Sequence, residues 1–207
     1  MLVLGKKYLL VSQRLECGLT PTLKTVCGIF LLLLIIPMAF IQCAPIETSS
    51  VTDIISEGDR MPSFAARVSI SDSSDWRYGL GDVFDTSELQ GKVGIVVFFH
   101  TSCDDCKREL PVVQSVYDNI KDNVSISLVC ISRAESEPDI RDYFSSNGLS
   151  LPYSAQPDRK IYGMFASEGI PRIYVADTEG IVKKVYTDSN APDYAELMKV
   201  IESSRTI

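Results

Sequence analysis

Cys103 and Cys106 stand where the apolar run Val96-Val97-Phe98-Phe99 gives way, through His100-Thr101-Ser102, to the polar stretch Asp104-Asp105-Cys106-Lys107-Arg108-Glu109-Leu110-Pro111. A strand that ends just before a C-x-x-C and a helix that starts inside it put the first cysteine at a helix N-terminus. Backbone N–H groups without a helical partner, together with the positive end of the helix dipole, stabilise negative charge on such a sulfur. The second cysteine follows slightly less than one turn later, close enough to close a short disulfide ring. Reversible dithiol/disulfide chemistry is the reaction this placement suggests, with one sulfur attacking and the other resolving.

Two other readings of the pair stand beside it. A zinc site commonly takes four ligands, whereas this chain has one histidine and no second C-x-x-C. A structural disulfide is the plainer possibility, which the strand-to-helix context disfavours. No metal is expected, and no cofactor beyond the Cys103–Cys106 redox couple itself.

The elements that must position these sulfurs follow from patterning. The near-continuous apolar run 93–99 reads as a central strand covered on both faces. Residues 104–119 read as a helix that Pro111 should kink. A strand over 124–131 comes next, placing Cys130 as a buried, inert thiol, then a helix over 138–146 that stops at Asn147-Gly148. A strand over 68–70, a turn or hairpin loop over 71–81 containing Trp76 and a short helix over 158–166 are further expectations. Strands over 172–176 and 181–186 flank the turn Asp177-Thr178-Glu179-Gly180, and a helix over 195–203 closes the chain. The order is an α/β pattern.

The first 43 residues differ from the rest. Gly28 to Ile36 reads G-I-F-L-L-L-L-I-I after a segment carrying Lys6, Lys7, Arg14 and Lys24, as in an export signal or membrane anchor. The apolar stretch 26–41 is short for a bilayer span and contains Pro37. Cys43, before Ala44-Pro45, resembles the lipidated cysteine of a bacterial lipoprotein, although Gln42 departs from the small residue usual before it. Lipoprotein, uncleaved signal anchor and ordinary secretion all remain open. The basic flank favours an N-terminus in the cytoplasm with the bulk of the chain outside it, so the chemistry is expected in the cell envelope, on the periplasmic side if the bacterial lipoprotein resemblance holds. The expected organisation is a signal or anchor segment over 1–43 that holds Cys17 and Cys27, a tether over 44–56 and a single domain over 57–207.

Of the chain's 20 Lys and Arg and 27 Asp and Glu, the first 43 residues hold four and one, which leaves 16 against 26 in the remainder. Such an acidic domain argues against nucleic acid or an anionic membrane surface as its main partner. Its 164 residues can build a core without disulfide staples, so its cysteines are more useful as reagents than as scaffolding.

With the elements placed, the domain resembles the thioredoxin fold, and more closely the TlpA-like and ResA-like thiol-disulfide oxidoreductases of the bacterial envelope, within the wider redoxin superfamily. The resemblance rests on Glu57-Gly58-Asp59, Pro62-Ser63-Phe64, Leu89-Gln90-Gly91-Lys92, the C-D-D-C-K-R-E-L-P run, Gly169-Ile170-Pro171 and Asp177-Thr178-Glu179-Gly180, in order and at the family's spacing. It implies a central mixed sheet flanked by helices, with an N-terminal hairpin extension and an inserted helix. It also implies a cis bond before Pro171 beside the cysteines, so that backbone near Ile170 and Pro171 pairs with an extended substrate strand. Glu109 matches the family's active-site glutamate, a proton shuttle or a carboxylate that raises the neighbouring thiol's pKa. The partners implied are disulfide-containing or dithiol envelope proteins and a thiol electron donor, with reduction of substrates favoured over oxidation.

The chain departs from the family pattern at Ser102, where tryptophan is frequent, and at Asp104-Asp105 between the cysteines. The two carboxylates suit the helix dipole but oppose a Cys103 thiolate, which favours a more reducing couple. His100, the only histidine, would offset them if protonated. Two other functions compete. A thiol peroxidase could use Thr101, although its spacing here is T-x-C rather than T-x-x-C, and a non-enzymatic binding module could keep the C-x-x-C as a plain disulfide.

Overall fold

The computed structural model describes residues 53–70 and 82–205. Trp76, the loop at 71–81, and the leader with Cys17, Cys27 and Cys43 lie outside them. A five-stranded sheet runs in the order β5-β4-β3-β6-β7, where β3 is Val93–Phe99, β4 Ile126–Ser132, β5 Tyr153–Ser154, β6 Arg172–Ala176 and β7 Val182–Thr187. β3, β4 and β5 are parallel, while β6 runs antiparallel to both β3 and β7. Helix α1, Asp104–Ile120, makes the crossover from β3 to β4, and α2, Glu137–Ser146, connects β4 to β5. The last helix, α3, Tyr194–Ser203, packs against α1. This is the mixed α/β architecture that the resemblance implies.

β3 sits in the middle because it has no polar residue to keep in water: all seven of its residues are buried. Successive side chains in a strand point to opposite faces. Phe98 therefore meets Tyr162, Phe165 and Tyr174 edge-on, whereas Phe99 meets Phe144, which in turn packs on Tyr153. α1 buries Cys106, Leu110, Val113, Tyr117 and Ile120, a three-and-four spacing that lays one stripe on the core. The helix runs through Pro111, which lacks the N–H that would bond the Lys107 carbonyl.

The N-terminal segment closes both edges of the sheet. Beside β7, the Gly58 N–H donates to the Val182 carbonyl at 2.8 Å, and the Val182 N–H donates to Asp59 at 2.8 Å. Gly58, at φ +95°, adopts a backbone conformation that other residues rarely reach, and Lys184 pairs with Glu57 at 3.0 Å. Glu57-Gly58-Asp59 is thus a structural motif. At the opposite edge Ser69 and Tyr153 exchange N–H to carbonyl bonds of 2.7 and 2.9 Å, covering the two-residue β5.

Several boundaries differ from the sequence expectations. Residues 53–56, assigned there to the tether, belong to the fold: Asp53 bridges to Ala166 and pairs with the buried Arg172, and the N–H groups of Ile54 and Ile55 both reach the Phe165 carbonyl at 3.0 Å. The strand expected at 68–70 is instead β1, Ala65–Arg67, paired antiparallel with β2, Val83–Asp85. The buried alternation already begins at Phe64 and continues through Ala66 to Val68, so the ladder starts earlier than the Val68-Ser69-Ile70 alternation suggests. β4 begins at Ile126 because Val124 is 66 % exposed. The helix expected over 158–166 is only a single 3-10 turn, Tyr162–Met164, since burial of Tyr162, Phe165 and Ala166 imitates helical spacing over one turn.

Candidate active site

The C-terminal end of β3, the loop after β4 and the loop before β6 converge on Cys103. Cys103 is the N-cap of α1, with φ −83° and ψ 120°. Its N–H donates to the His100 carbonyl at 3.1 Å, its carbonyl accepts from Lys107 at 3.0 Å, and its Sγ accepts the Cys106 N–H at 3.4 Å. A sulfur therefore occupies the capping place more often taken by an oxygen, facing N–H groups that the helix leaves unpaired. Cys103 is half-buried, whereas Cys106 is fully buried, and both are free thiols. Burial pushes the Cys106 thiol well above the ordinary thiol range, reinforced by its hydrogen bond with Cys103 and opposed by the His100 backbone and Arg133.

Across from Cys103 lies the loop before β6. The Ile170–Pro171 peptide bond is cis, and Gly169 has φ +81°. The Cys103 thiol donates to the Ile170 carbonyl at 3.6 Å, so the loop named by the resemblance meets the sulfur directly. Two side chains fix this loop. Tyr162 Oη donates to the Gly169 carbonyl at 2.8 Å, and Arg172 Nε donates to the carbonyls of Glu168 and Gly169 at 3.0 and 3.3 Å. Arg172 is only 3 % exposed and pairs with Asp53.

Glu109 lies on α1 three residues after Cys106, only 6 % exposed, and its Oε1 has no hydrogen-bond partner. Burial alone raises its carboxyl from the usual range to about 7. Desolvation also leads the rise at Cys106, so like-charge repulsion from Glu109 is not its source. Asp104 and Asp105 turn outward to the cations one turn along, Asp104 with Lys107 at 3.1 Å and Asp105 with Arg108. Cys130, in β4, is fully buried with its thiol pushed up by desolvation, as expected of an inert core cysteine.

His100 Nδ1 lies 3.1 Å from the Ser102 N–H and 2.9 Å from its Oγ. The Ser102 N–H donates to Nδ1, and the same nitrogen lies 3.6 Å from Glu135 Oε1. Glu135 is the residue that the sequence concealed. It is buried, it accepts the Thr101 N–H at 3.1 and 3.2 Å on its two oxygens, and it receives the Thr101 hydroxyl as well. The loop that carries Cys103 is thereby tied to the loop after β4. Within Arg133-Ala134-Glu135-Ser136-Glu137 nothing distinguishes this carboxylate from a solvated one. Arg172 did carry a signal, a lone charge at the start of the apolar strand Arg172-Ile173-Tyr174-Val175-Ala176.

Among the described residues no helix is long and apolar enough to cross a membrane. Comparison with known proteins agrees with this geometry. A family model described as thioredoxin-like matches residues 91–182, a span that contains both cysteines and the cis-proline loop. The chain is 29 % identical over 150 residues to thiol-disulfide oxidoreductase ResA of Bacillus subtilis (strain 168), covering 68 % of this chain and 83 % of that protein. It is 23 % identical over 123 residues to the protein of the same name from Halalkalibacterium halodurans, covering 58 % of this chain and 69 % of that one. Among solved structures, a thiol:disulfide interchange protein of the thioredoxin family from Chlorobium tepidum TLS superposes with a TM-score of 0.58 at 23 % identity, over 73 % of this chain and 99 % of that one. StoA from Bacillus subtilis gives 0.52 at 20 % identity, over 68 % and 96 % of the two chains. The two structures share the fold.

Proposed function

We propose that this chain, a thioredoxin-fold oxidoreductase of the redoxin family, carries out its thiol-disulfide exchange through Cys103 and Cys106, acting as a reductant of protein disulfides in the bacterial envelope. The observation that carries this reading is the unequal placement of the two sulfurs. Cys103 is partly open to solvent at the cap of α1 and lies beside the Ile170 carbonyl, while Cys106 is sealed behind it. A partner strand lying along Ile170 and Pro171 would present its disulfide to Cys103. Attack forms a mixed disulfide, after which Cys106 loses its proton, displaces the partner's remaining sulfur and leaves the chain oxidised. Glu109, with a carboxyl near neutrality three residues along the same helix, suits the removal of that proton.

The reducing direction is the one that the resemblance to envelope thiol-disulfide oxidoreductases implies, and the Asp104 and Asp105 carboxylates in the first turn of α1 favour it by opposing a Cys103 thiolate. Destabilising a thiolate of the reduced form favours the disulfide and so makes the couple a better electron donor. Peroxidase chemistry is less suited to this site, because the Thr101 hydroxyl is committed to Glu135 rather than to Cys103. Attachment through the 1–43 segment, with lipid on Cys43 or the apolar stretch retained, would hold the domain on the periplasmic side, where a thiol donor would re-reduce it. The mass of the N-terminal peptide from membrane-extracted protein distinguishes these forms.

The reaction is tested with full-length reduced protein and a disulfide-bonded protein substrate. Exchange should require Cys103, and Cys106→Ala should accumulate a mixed disulfide that peptide mapping places at Cys103 and that the doubly substituted Cys103→Ser, Cys106→Ala chain lacks. Exchange that persists undiminished without Cys103 would overturn the assignment.

A further inference from the structure

Beside Cys103 a cavity of about 530 Å³ is lined by His100, Ser102, Cys103, Ile170 and two arginines, Arg133 and Arg159. The domain is acidic, and most of its described cations are spent on carboxylates: Lys107, Arg108, Lys121, Arg141, Lys160, Arg172, Lys183, Lys184 and Arg205 all form ion pairs. Arg133 and Arg159 form none among the described residues. The carboxylates next to them in sequence are engaged elsewhere, Glu135 with Thr101 and Asp158 with Lys160 at 3.0 Å. Arg133 Nε is moreover buried without a hydrogen-bond partner.

Arg133 is held in place without a counter-ion. Its guanidinium carbon sits 5.4 Å from the centre of the Tyr162 ring, and the Tyr162 hydroxyl anchors the Gly169 carbonyl of the loop facing Cys103. Arg133 follows β4 and opens a loop in which Ala134 takes φ +62°, a conformation uncommon for a residue with a side chain. Two guanidinium groups, one stacked and one exposed, thus border the nucleophile's cavity with their hydrogen-bonding forks uncommitted. Guanidinium matches a carboxylate in shape as well as in charge.

We infer that this cavity selects partners by charge: Arg133 and Arg159 receive an acidic side chain flanking the cysteine of a polypeptide disulfide, holding the partner's sulfur against Cys103. The inference rests on the exchange reaction proposed above and specifies its substrate class. In the step itself the Cys103 thiolate forms a bond to one partner sulfur as the partner S–S bond breaks, and the other partner sulfur leaves and takes a proton. Cys106 then displaces the bound sulfur, so that the partner gains two electrons and two protons while the chain becomes a disulfide.

The test uses full-length reduced protein and two symmetric peptide disulfides of equal length, one with aspartate on each side of the cysteine and one with asparagine. Each single-turnover rate is divided by the rate of 2-mercaptoethanol on the same peptide, and the ratio of the two quotients is the readout. In the native chain the aspartate peptide should lead by about fivefold at low salt, and the lead should shrink as salt is raised. Arg159→Gln, at an exposed position that the fold tolerates, should cut the lead by about half, and Arg133→Gln with Arg159→Gln should abolish it. A lead that is absent, or that neither substitution nor salt moves, overturns the inference while leaving exchange intact. Failure of the native chain to reduce either peptide overturns the proposed reaction itself.

Discussion

Replacing Glu109 with glutamine removes a charge that the fold is poorly built to hold. The carboxyl is 6 % exposed, one of its oxygens has no partner, and burial raises it from 4.5 to about 7. Well below pH 4.5 the group is protonated in both folded and unfolded chains, and its full contribution to stability is present. Between the two values the unfolded chain releases its proton while the folded chain retains it. The unfolded state then binds fewer protons, and stability falls as pH rises, by up to about 1.4 kcal/mol per pH unit. Across the whole interval the loss amounts to about 3 kcal/mol, and it is complete once the pH has passed through the folded value. Urea unfolding of the reduced protein at pH 5, 6, 7 and 8, native against Glu109→Gln, isolates this group from the others that titrate. The difference should shift in favour of the variant by about 2 to 3 kcal/mol from pH 5 to pH 8. A difference that stays constant over that range would refute the buried, unpartnered carboxylate. The same substitution should remove the inflection near neutrality in the rate of the Cys106 resolving step, because the proton acceptor is gone.

Loss of Glu135 should be felt in both stability and rate. Glu135→Ala leaves the Thr101 N–H and hydroxyl without their acceptor and should cost about 3 kcal/mol, roughly 10 °C in Tm, whereas Glu135→Gln, which keeps an oxygen for the N–H, should recover much of both the Tm and the exchange rate. Thermal unfolding and single-turnover exchange check this, and equal behaviour of the two variants would deny the acceptor role. Asp104→Asn with Asp105→Asn should make the couple more oxidising by only about 10 to 20 mV, since both carboxylates face outward toward cations. Equilibration against glutathione reads the shift, and an unchanged or lower potential would refute it. Tyr162→Phe deletes the bond to the Gly169 carbonyl and should slow exchange by several-fold while leaving Tm within a few degrees; an unaltered rate would show that Arg172 alone fixes the loop.

The parts of this molecule that were legible in its sequence are those where one local pattern had one structural outcome. β3 was recognisable because seven consecutive apolar residues can only lie under cover on both faces, and α1 because its apolar residues recur at three and four. The turn at Gly180, φ +79°, was legible from Asp177-Thr178-Glu179-Gly180. Elements decided by long-range pairing were not. β1 lies where β2 pairs with it, three residues before the Val68-Ser69-Ile70 segment that suggested a strand. Residues 53–56 look like the end of a tether until Arg172, 119 residues later, supplies the partner for Asp53. In the site the same division holds: Cys103 and Cys106 advertise themselves by spacing, whereas Glu135 matters only because the fold carries it to Thr101, 34 residues away.

The unequal exposure of the two sulfurs comes from where α1 starts. With Cys103 as the cap, its backbone is still extended at ψ 120°, so its side chain stays at the rim and can receive the Cys106 N–H. Cys106 lies on the stripe that continues through Leu110, Val113 and Tyr117, so the amphipathic register that packs the helix also buries its thiol. Any change that keeps the helix but rotates this stripe would have to expose Cys106 and strip the core of Leu110 together. Asymmetry of the thiols is therefore coupled to the stability of the domain through the same periodicity that holds α1 on the sheet.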